Sequence, residues 1–295
     1  GFNRYVPDDV LGKYGADALR LWATRGRIGT DLRYNEKDVR TGRKFAVKLW
    51  NVGRFLSLNQ LEQGRPDGPF IAVADRDIVD RWLLSHLAET TDAATGFFEE
   101  HDYMQAHAVA SRMFWSVFCD RYLEMVKDRL GGGDGPVPGS TAPAGAESAR
   151  QTLRESFRVL LGLFAPFAPF VTEHLYQAFY ASLEGGGSLH VTRWPATDAA
   201  WRDDTEPARR AVDQLTVILD AIRALRTQLR LGNSARLRSL TLQAHTAPAG
   251  ALLDEIAEPL RLAARADAVL RGDAVLPGDA GHPSGVDGIT VAITV

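Results

Sequence analysis

The sequence predicts a mostly α protein: an antiparallel helical bundle followed by a small C-terminal α/β domain. Two observations carry that prediction. Between residues 35 and 183, apolar side chains recur at helical spacing in successive long runs joined by short breaks. Beyond Trp201 a period-two alternation enters, in LRSLTLQA (237–244) and GITVAITV (288–295), between further helical runs.

Asp8 and Asp9 precede a short helical stretch, VLGKYG, which Gly12 and Gly15 interrupt before ADALRLWA (16–23) resumes the pattern. Gly26 and Gly29 mark loops. Asn35 is placed to cap a long helix over 36–61, with Glu36 and Asp38 in its first turn, where a negative charge meets the positive end of the helix dipole. Gly64, Pro66, Gly68 and Pro69 end it. A second long helix is predicted over 74–99 and a third over 104–130, the latter lined by Phe114, Trp115, Phe118, Tyr122 and Met125. Residues 131–148 (GGGDGPVPGSTAPAGAES) have the composition of a flexible linker with nothing to bury. A fourth helix follows over 148–164, and Pro169 suits the first turn of a fifth over 170–183. Helices over 206–230 and 252–264 and a short strand at 268–270 complete the reading. The expected domains are 1–34, then 35–200 with its linker at 131–148, then 205–295.

Composition narrows the function classes. Apolar residues make up 45% of the 295, enough to build a core. No apolar run approaches the roughly 18 residues that a membrane span needs. The polar N-terminus predicts no secretory leader, and the single cysteine, Cys119, leaves no disulfide framework or Cys-rich zinc site. A cytoplasmic protein is expected. No phosphate-binding GxxxxGK[ST], dinucleotide fingerprint or HExxH is present. His101 and His107 fall on different faces of a helix, and Cys119 sits in an apolar run, so no catalytic residue, metal site or cofactor is assigned. With no apolar stripe left unassigned, a monomer is expected.

Charge is the informative feature. The net charge is −3, yet residues 20–54 hold ten Lys/Arg against three Asp/Glu, a surplus of seven on an otherwise acidic chain. Such a localised field selects polyanions. At about 100° per residue, Lys37, Arg40, Lys44, Lys48, Asn51 and Phe55 fall within an arc of about 80° on the long helix, with Trp50 and Arg54 flanking it. Phe45, Leu49, Val52 and Leu56 form the adjoining apolar stripe, expected to be buried. Cations for phosphates, an amide for a base edge and an aromatic face for stacking suit single-stranded nucleic acid. A solvated bundle face would show the same cations. A second set, Arg223, Arg226 and Arg230, repeats one helical turn apart and is open to the same two readings.

Several segments resemble class I aminoacyl-tRNA synthetases in order. GRKFAVKLWNVGRF (42–55) resembles the start of their anticodon-binding domain, of valyl type. YGADALRLWA (14–23) and GTDLRYNEKDV (29–39) resemble the stretch after the KMSKS loop. FWSVFCDRYLEMVKDRL (114–130) is again similar to the valyl type, and LLGLFAPFAPFVTEHLYQAF (160–179), SLHVTRWP (188–195) and AIRALRTQLRL (221–231) follow the class pattern. The resemblance covers residues 3–245 well and the last 50 loosely.

The resemblance implies that the 1–34 segment is stem-contact-like and that the basic helix meets the anticodon loop. By position, Lys37, Lys48, Asn51, Arg54 and Phe55 become the anticodon-binding candidates, with Arg40, Lys44, Arg223 and Arg226 as supporting phosphate contacts. It also implies tRNA, specifically valine tRNA, as partner, alongside the catalytic body of a parent synthetase. The HIGH and KMSKS signatures and the editing domain are absent from this sequence, so ATP and magnesium are expected to belong to the parent enzyme and no ligase activity is expected of this chain alone. The alternative is a free-standing synthetase-like paralogue that binds tRNA or a protein without ligase activity.

Overall fold

The structure, a computed structural model, describes residues 7–27, 29–59, 70–127, 129–130, 143–202, 205–232, 235–271 and 282–294, with only the backbone of 143–144, 205–208 and 282–283. It is mostly helical with a small C-terminal α/β part, as the periodicity predicts. The predicted helix end at 61–69 and most of the predicted linker, 131–142, lie outside the described residues. Contacts sort the chain into two compact units, each assembled from separate segments rather than from one continuous stretch: residues 1–70, 86–117 and 150–199, and residues 71–85, 118–149 and 200–295.

In the first unit, α1 (Pro7–Tyr14) and α2 (Ala16–Ala23) lead to α3 (Glu36–Leu58). Asn35 caps α3 as expected, its side chain accepting from the Lys37 N–H at 3.0 Å. Phe45, Leu49, Val52 and Leu56 of α3 are buried. The Phe45 ring lies 5.1 Å from Phe114 and 4.7 Å from Phe164 between centroids, edge-on or tilted, as aromatic quadrupoles prefer. Gly42 lets α2 come close: a Cβ there would sit 2.6 Å from the Ala18 carbonyl oxygen.

The helix α4 (Ile78–Glu99) is followed by α5 (Tyr103–Arg112), which Asp102 caps through the Gln105 N–H at 3.0 Å. The third predicted helix does not continue regularly. Residues Met113–Tyr122 are π-helical before α6 (Leu123–Val126) resumes the α form. Exposed positions there recur every four residues, at Arg112, Ser116, Asp120 and Glu124, a wider period than an α-helix sets. After α7 (Pro143–Phe164), α8 (Pro169–Phe179) begins with its proline in the first turn. The chain then turns through Gly185, Gly186 and Gly187, all at positive φ. Arg158 locks that turn by a fork to Glu184, 2.6 and 2.9 Å, while its guanidinium covers the Tyr176 ring at 4.9 Å.

The second unit contains the α/β part. β1 (Leu237–Ala244), α10 (Ala247–Ala263) and β2 (Ala266–Arg271) form a parallel crossover; β4 (Ile289–Thr294) pairs antiparallel with β1, and β3 (His282–Pro283) with β4, giving the order β2-β1-β4-β3. Leu240, Leu242 and Val291 are buried with Leu253, Ile256 and Leu260 of α10 and with Val212, Leu215 and Ile218 of α9 (Thr205–Gln228). The same unit buries Asp80. Its carboxylate accepts from the Tyr122 hydroxyl at 2.7 Å, from Arg129 at 2.5 and 3.2 Å, and from the Ser148 hydroxyl. Ser148 and Gly145, whose carbonyl also accepts from Arg129 at 2.8 Å, fall inside the segment read as a linker with nothing to bury. They belong to α7, which starts five residues earlier than predicted and brings both oxygens to the buried pair.

Candidate nucleic-acid interface

The α3 surface is arranged by what its acidic residues do. Glu36 accepts from the Lys13 ammonium at 2.6 Å and from the Tyr14 hydroxyl, and these hold its carboxyl below the usual range. Asp38 pairs with Arg25. Both carboxylates in the first turn are therefore satisfied by residues outside α3. Lys37, Arg40, Lys44, Asn51 and Arg54 are exposed, and among the described residues none of Lys37, Lys44, Lys48 and Arg54 has an ion-pair partner. Cations left without ion-pair partners on one helix face are chemically suited to phosphates, as they are to plain solvent exposure.

Lys48, Asn51 and Phe55 share that face. The Asn51 amide is exposed, and its donor and acceptor are of the kind a base edge pairs with. Phe55, expected on the basic face, is half-buried rather than exposed. Lys48 is also half-buried. Its ammonium lies 5.8 Å from the centroid of the Trp115 ring, within cation–π range. In the sequence Trp115 stands only within an apolar helical run. Trp50, flanking the face, is 46% exposed and rests against His174 at 4.9 Å.

The second arginine set is not brought together on one surface. Arg226 is 3% exposed, and its guanidinium donates to the carbonyl of Ala264 at 2.6 Å and of Gly232 at 3.4 Å. Burial lowers its pKa, and no face is left for phosphate, so its expected supporting contact is withdrawn. Arg230 lies past the end of α9 with φ 56°, off the helical row. Arg223 is exposed and paired with Asp220 at 2.7 Å, a neighbour one turn away.

Cys119 is buried, and among the described residues no group of three or more His, Cys, Asp or Glu could hold a metal ion. Nor, among them, is any helix long and apolar enough to cross a membrane. His107 is packed against the rings of Phe45, Phe164 and Phe167 at 5.1–6.3 Å and faces Ser111 Oγ at 3.2 Å. Burial, with a smaller push from Arg25, takes its pKa down to about 4.

A helical scaffold that carries, among the described residues, a row of cations without ion-pair partners beside an amide and an aromatic ring has the chemistry to meet a polyanion. Residues 80–241 match the model of the anticodon-binding domain of tRNA ligases, and the chain belongs to that family. It is 34% identical over 262 residues to the valine–tRNA ligase of Haloarcula marismortui, covering 88% of this chain and 26% of that protein. It is 35% identical over 241 residues to that of Thermobifida fusca, covering 81% and 25%, and 34% over 254 residues to that of Salinispora arenicola, covering 81% and 28%. The chain thus spans about a quarter of the length of these relatives. Among solved structures, a chain in the Agrobacterium radiobacter K84 agnB2 LeuRS-tRNA-LeuAMS ternary complex matches with a TM-score of 0.49 at 18% identity, over 68% of this chain and 22% of that one, a partial likeness only.

Proposed function

We propose that this chain is the anticodon-reading part of a valine–tRNA ligase and that α3 is its reading surface. The observation that carries the reading is the unpaired stripe of Lys37, Lys44, Lys48, Asn51 and Phe55 on one side of one helix. Lysines and arginines supply affinity through phosphates, which carry no sequence information. Asn51 offers a paired donor and acceptor to a base edge, and the Phe55 ring offers an aromatic surface for stacking. Arg40, Lys44 and Arg54 hold the flanking backbone.

The contribution to aminoacylation is positioning. Fixing the anticodon end orients the rest of a rigid tRNA toward a catalytic body elsewhere in the parent enzyme, where valine, ATP and magnesium are handled. That parent is cytoplasmic, and this part of it acts as a monomer.

Binding of the chain to valine tRNA, and to the same tRNA with an altered anticodon, tests this at two salt concentrations. A preference for the valine anticodon that survives the higher salt is the expected result. Equal, purely salt-sensitive binding to both would reduce α3 to a basic patch, and absence of binding would overturn autonomous reading.

A further inference from the structure

Trp115 lies against the one recognition lysine that is not fully solvated. The Lys48 ammonium sits 5.8 Å above its ring. The ring itself is held in place by two edge-on neighbours, Phe45 at 6.3 Å and 68° and Phe114 at 5.6 Å and 69°. Phe45 and Phe114 are both buried, 5% and 0% exposed, so the indole plane is set from the core. Phe45 and Lys48 are three residues apart on α3 and therefore neighbours on its surface. Consecutive residues Phe114 and Trp115 both reach Phe45, a geometry provided by the π-helical stretch Met113–Tyr122. Stretches of π-helix are rare and are frequently placed at functional sites.

A lysine has a long flexible stem, and a solvated one samples many rotamers. Such a group can neutralise any nearby phosphate but cannot favour one base over another. A lysine held over an aromatic plane keeps its charge and loses much of that freedom. We infer that Trp115 is a positioning residue for anticodon reading: its ring holds Lys48 in one direction, turning a diffuse contact with any nearby phosphate into one directed at a base edge. The inference rests on the proposed reading role of α3. A purely structural Trp115 would fill the space beside Phe45 and leave Lys48 unaffected.

The test is a mutant cycle on the full chain, using Lys48→Ala, Trp115→Leu, Trp115→Phe and the Lys48→Ala/Trp115→Leu double variant. Affinities for valine tRNA and for its altered-anticodon form are measured across a salt series. Lys48→Ala should weaken binding about tenfold and flatten the salt slope by about one contact. Trp115→Leu should lower the preference for the valine anticodon about threefold while leaving the salt slope unchanged, because the charge remains. Trp115→Phe, which keeps an aromatic face, should restore the preference to within about twofold. In the Lys48→Ala background, Trp115→Leu should have no further effect.

An independent additive loss in the double variant overturns the inference, as does a Trp115→Phe variant no better than Trp115→Leu. A direct readout needs no tRNA: the NMR signal of the isotopically dimethylated Lys48 amine should be displaced by the indole ring in the parent chain and return to the position of solvated lysines in Trp115→Leu. If that displacement is absent, the positioning role fails. If it is present and the chain shows no anticodon preference, the reading role of α3 fails instead.

Discussion

The carboxylate of Asp17, in α2, accepts the backbone N–H of Val171 at 2.8 Å, and of Phe170 at 3.1 Å, at the start of α8. The residue in the N-cap position of α8 is Ala168, which has no side chain able to serve those donors. A helix more than 150 residues away in sequence supplies the cap instead. Asp17→Ala should cost about 1–2 kcal/mol, as loss of an N-cap does. Asp17→Asn, which keeps an acceptor but not the charge favoured at a helix N-terminus, should recover part of that. Urea denaturation of the three proteins checks this; equal midpoints would mean that water caps α8 as well as Asp17 does.

Asp80 and Arg129 form a buried ion pair, 0% and 6% exposed at their side chains, with the Tyr122 and Ser148 hydroxyls completing the shell of the carboxylate. Removing one partner leaves an uncompensated charge out of water. Asp80→Ala and Arg129→Ala should therefore each lose about 3–5 kcal/mol. The double variant Asp80→Ala/Arg129→Ala should lose clearly less than the sum, because neither member of the pair is left without the other. Denaturant melts of the cycle give the coupling; additive losses would show that the two groups do not depend on each other.

Gly42 separates two opposed effects. Replacing a mid-helix glycine by alanine favours the helix by about 1 kcal/mol on intrinsic grounds. The new Cβ would meet the Ala18 carbonyl oxygen at 2.6 Å, and backbone cannot step aside as a side chain tip can. Overpacking costs about 1–3 kcal/mol, so Gly42→Ala should lower the melting temperature. A higher melting temperature would show that α2 and α3 are farther apart than this structure places them.

The pKa of His107 is lowered to about 4 by burial first and by Arg25 second. In the unfolded chain the imidazole titrates near its ordinary value of about 6.5. Between those two values the unfolded state binds more protons, so stability must fall as the pH drops through that window and level off below it. The full shift corresponds to at most about 3.5 kcal/mol, an upper bound for a half-buried ring. His107→Phe keeps the ring contacts with Phe45, Phe164 and Phe167 and removes the titration, so it should flatten this slope. Urea midpoints between pH 7 and pH 4 measure it, and parallel slopes for the two proteins would assign the acid sensitivity to other groups.

What was legible in the sequence was local. Asn35 before an amphipathic run specifies both the start of α3 and its buried side, because capping and helical period act within a few residues. The strands β1 and β4 were legible for the same reason, through their alternation. Arg226 was not, because its surroundings are set by the carbonyl of Ala264, brought back 38 residues later by the crossover through α10. Ser148 was hidden by the composition of its neighbours: a Gly/Pro/Ala/Ser run reads as linker, whatever buried carboxylate its far end must satisfy. The place of Trp115 depends on a π-helical stretch, and no local propensity announces a change from the α to the π form.

On the proposed interface, stacking and charge can be separated by salt. Phe55→Ala should weaken tRNA binding by about 1–2 kcal/mol, the range for one base on an aromatic ring, with little change in salt dependence. Lys48→Ala should cost a similar 1–2 kcal/mol and also reduce the slope of log affinity against log salt by about one, since a released counterion is lost. Arg226→Ala provides the contrast. Its guanidinium serves buried carbonyls, so that variant should lose stability and leave the salt slope of any folded protein untouched. Filter binding across a salt series, alongside thermal melts, distinguishes the three patterns. Unchanged affinity in both Phe55→Ala and Lys48→Ala would remove α3 as the reading surface, and a reduced salt slope in Arg226→Ala would return that residue to the phosphate contacts.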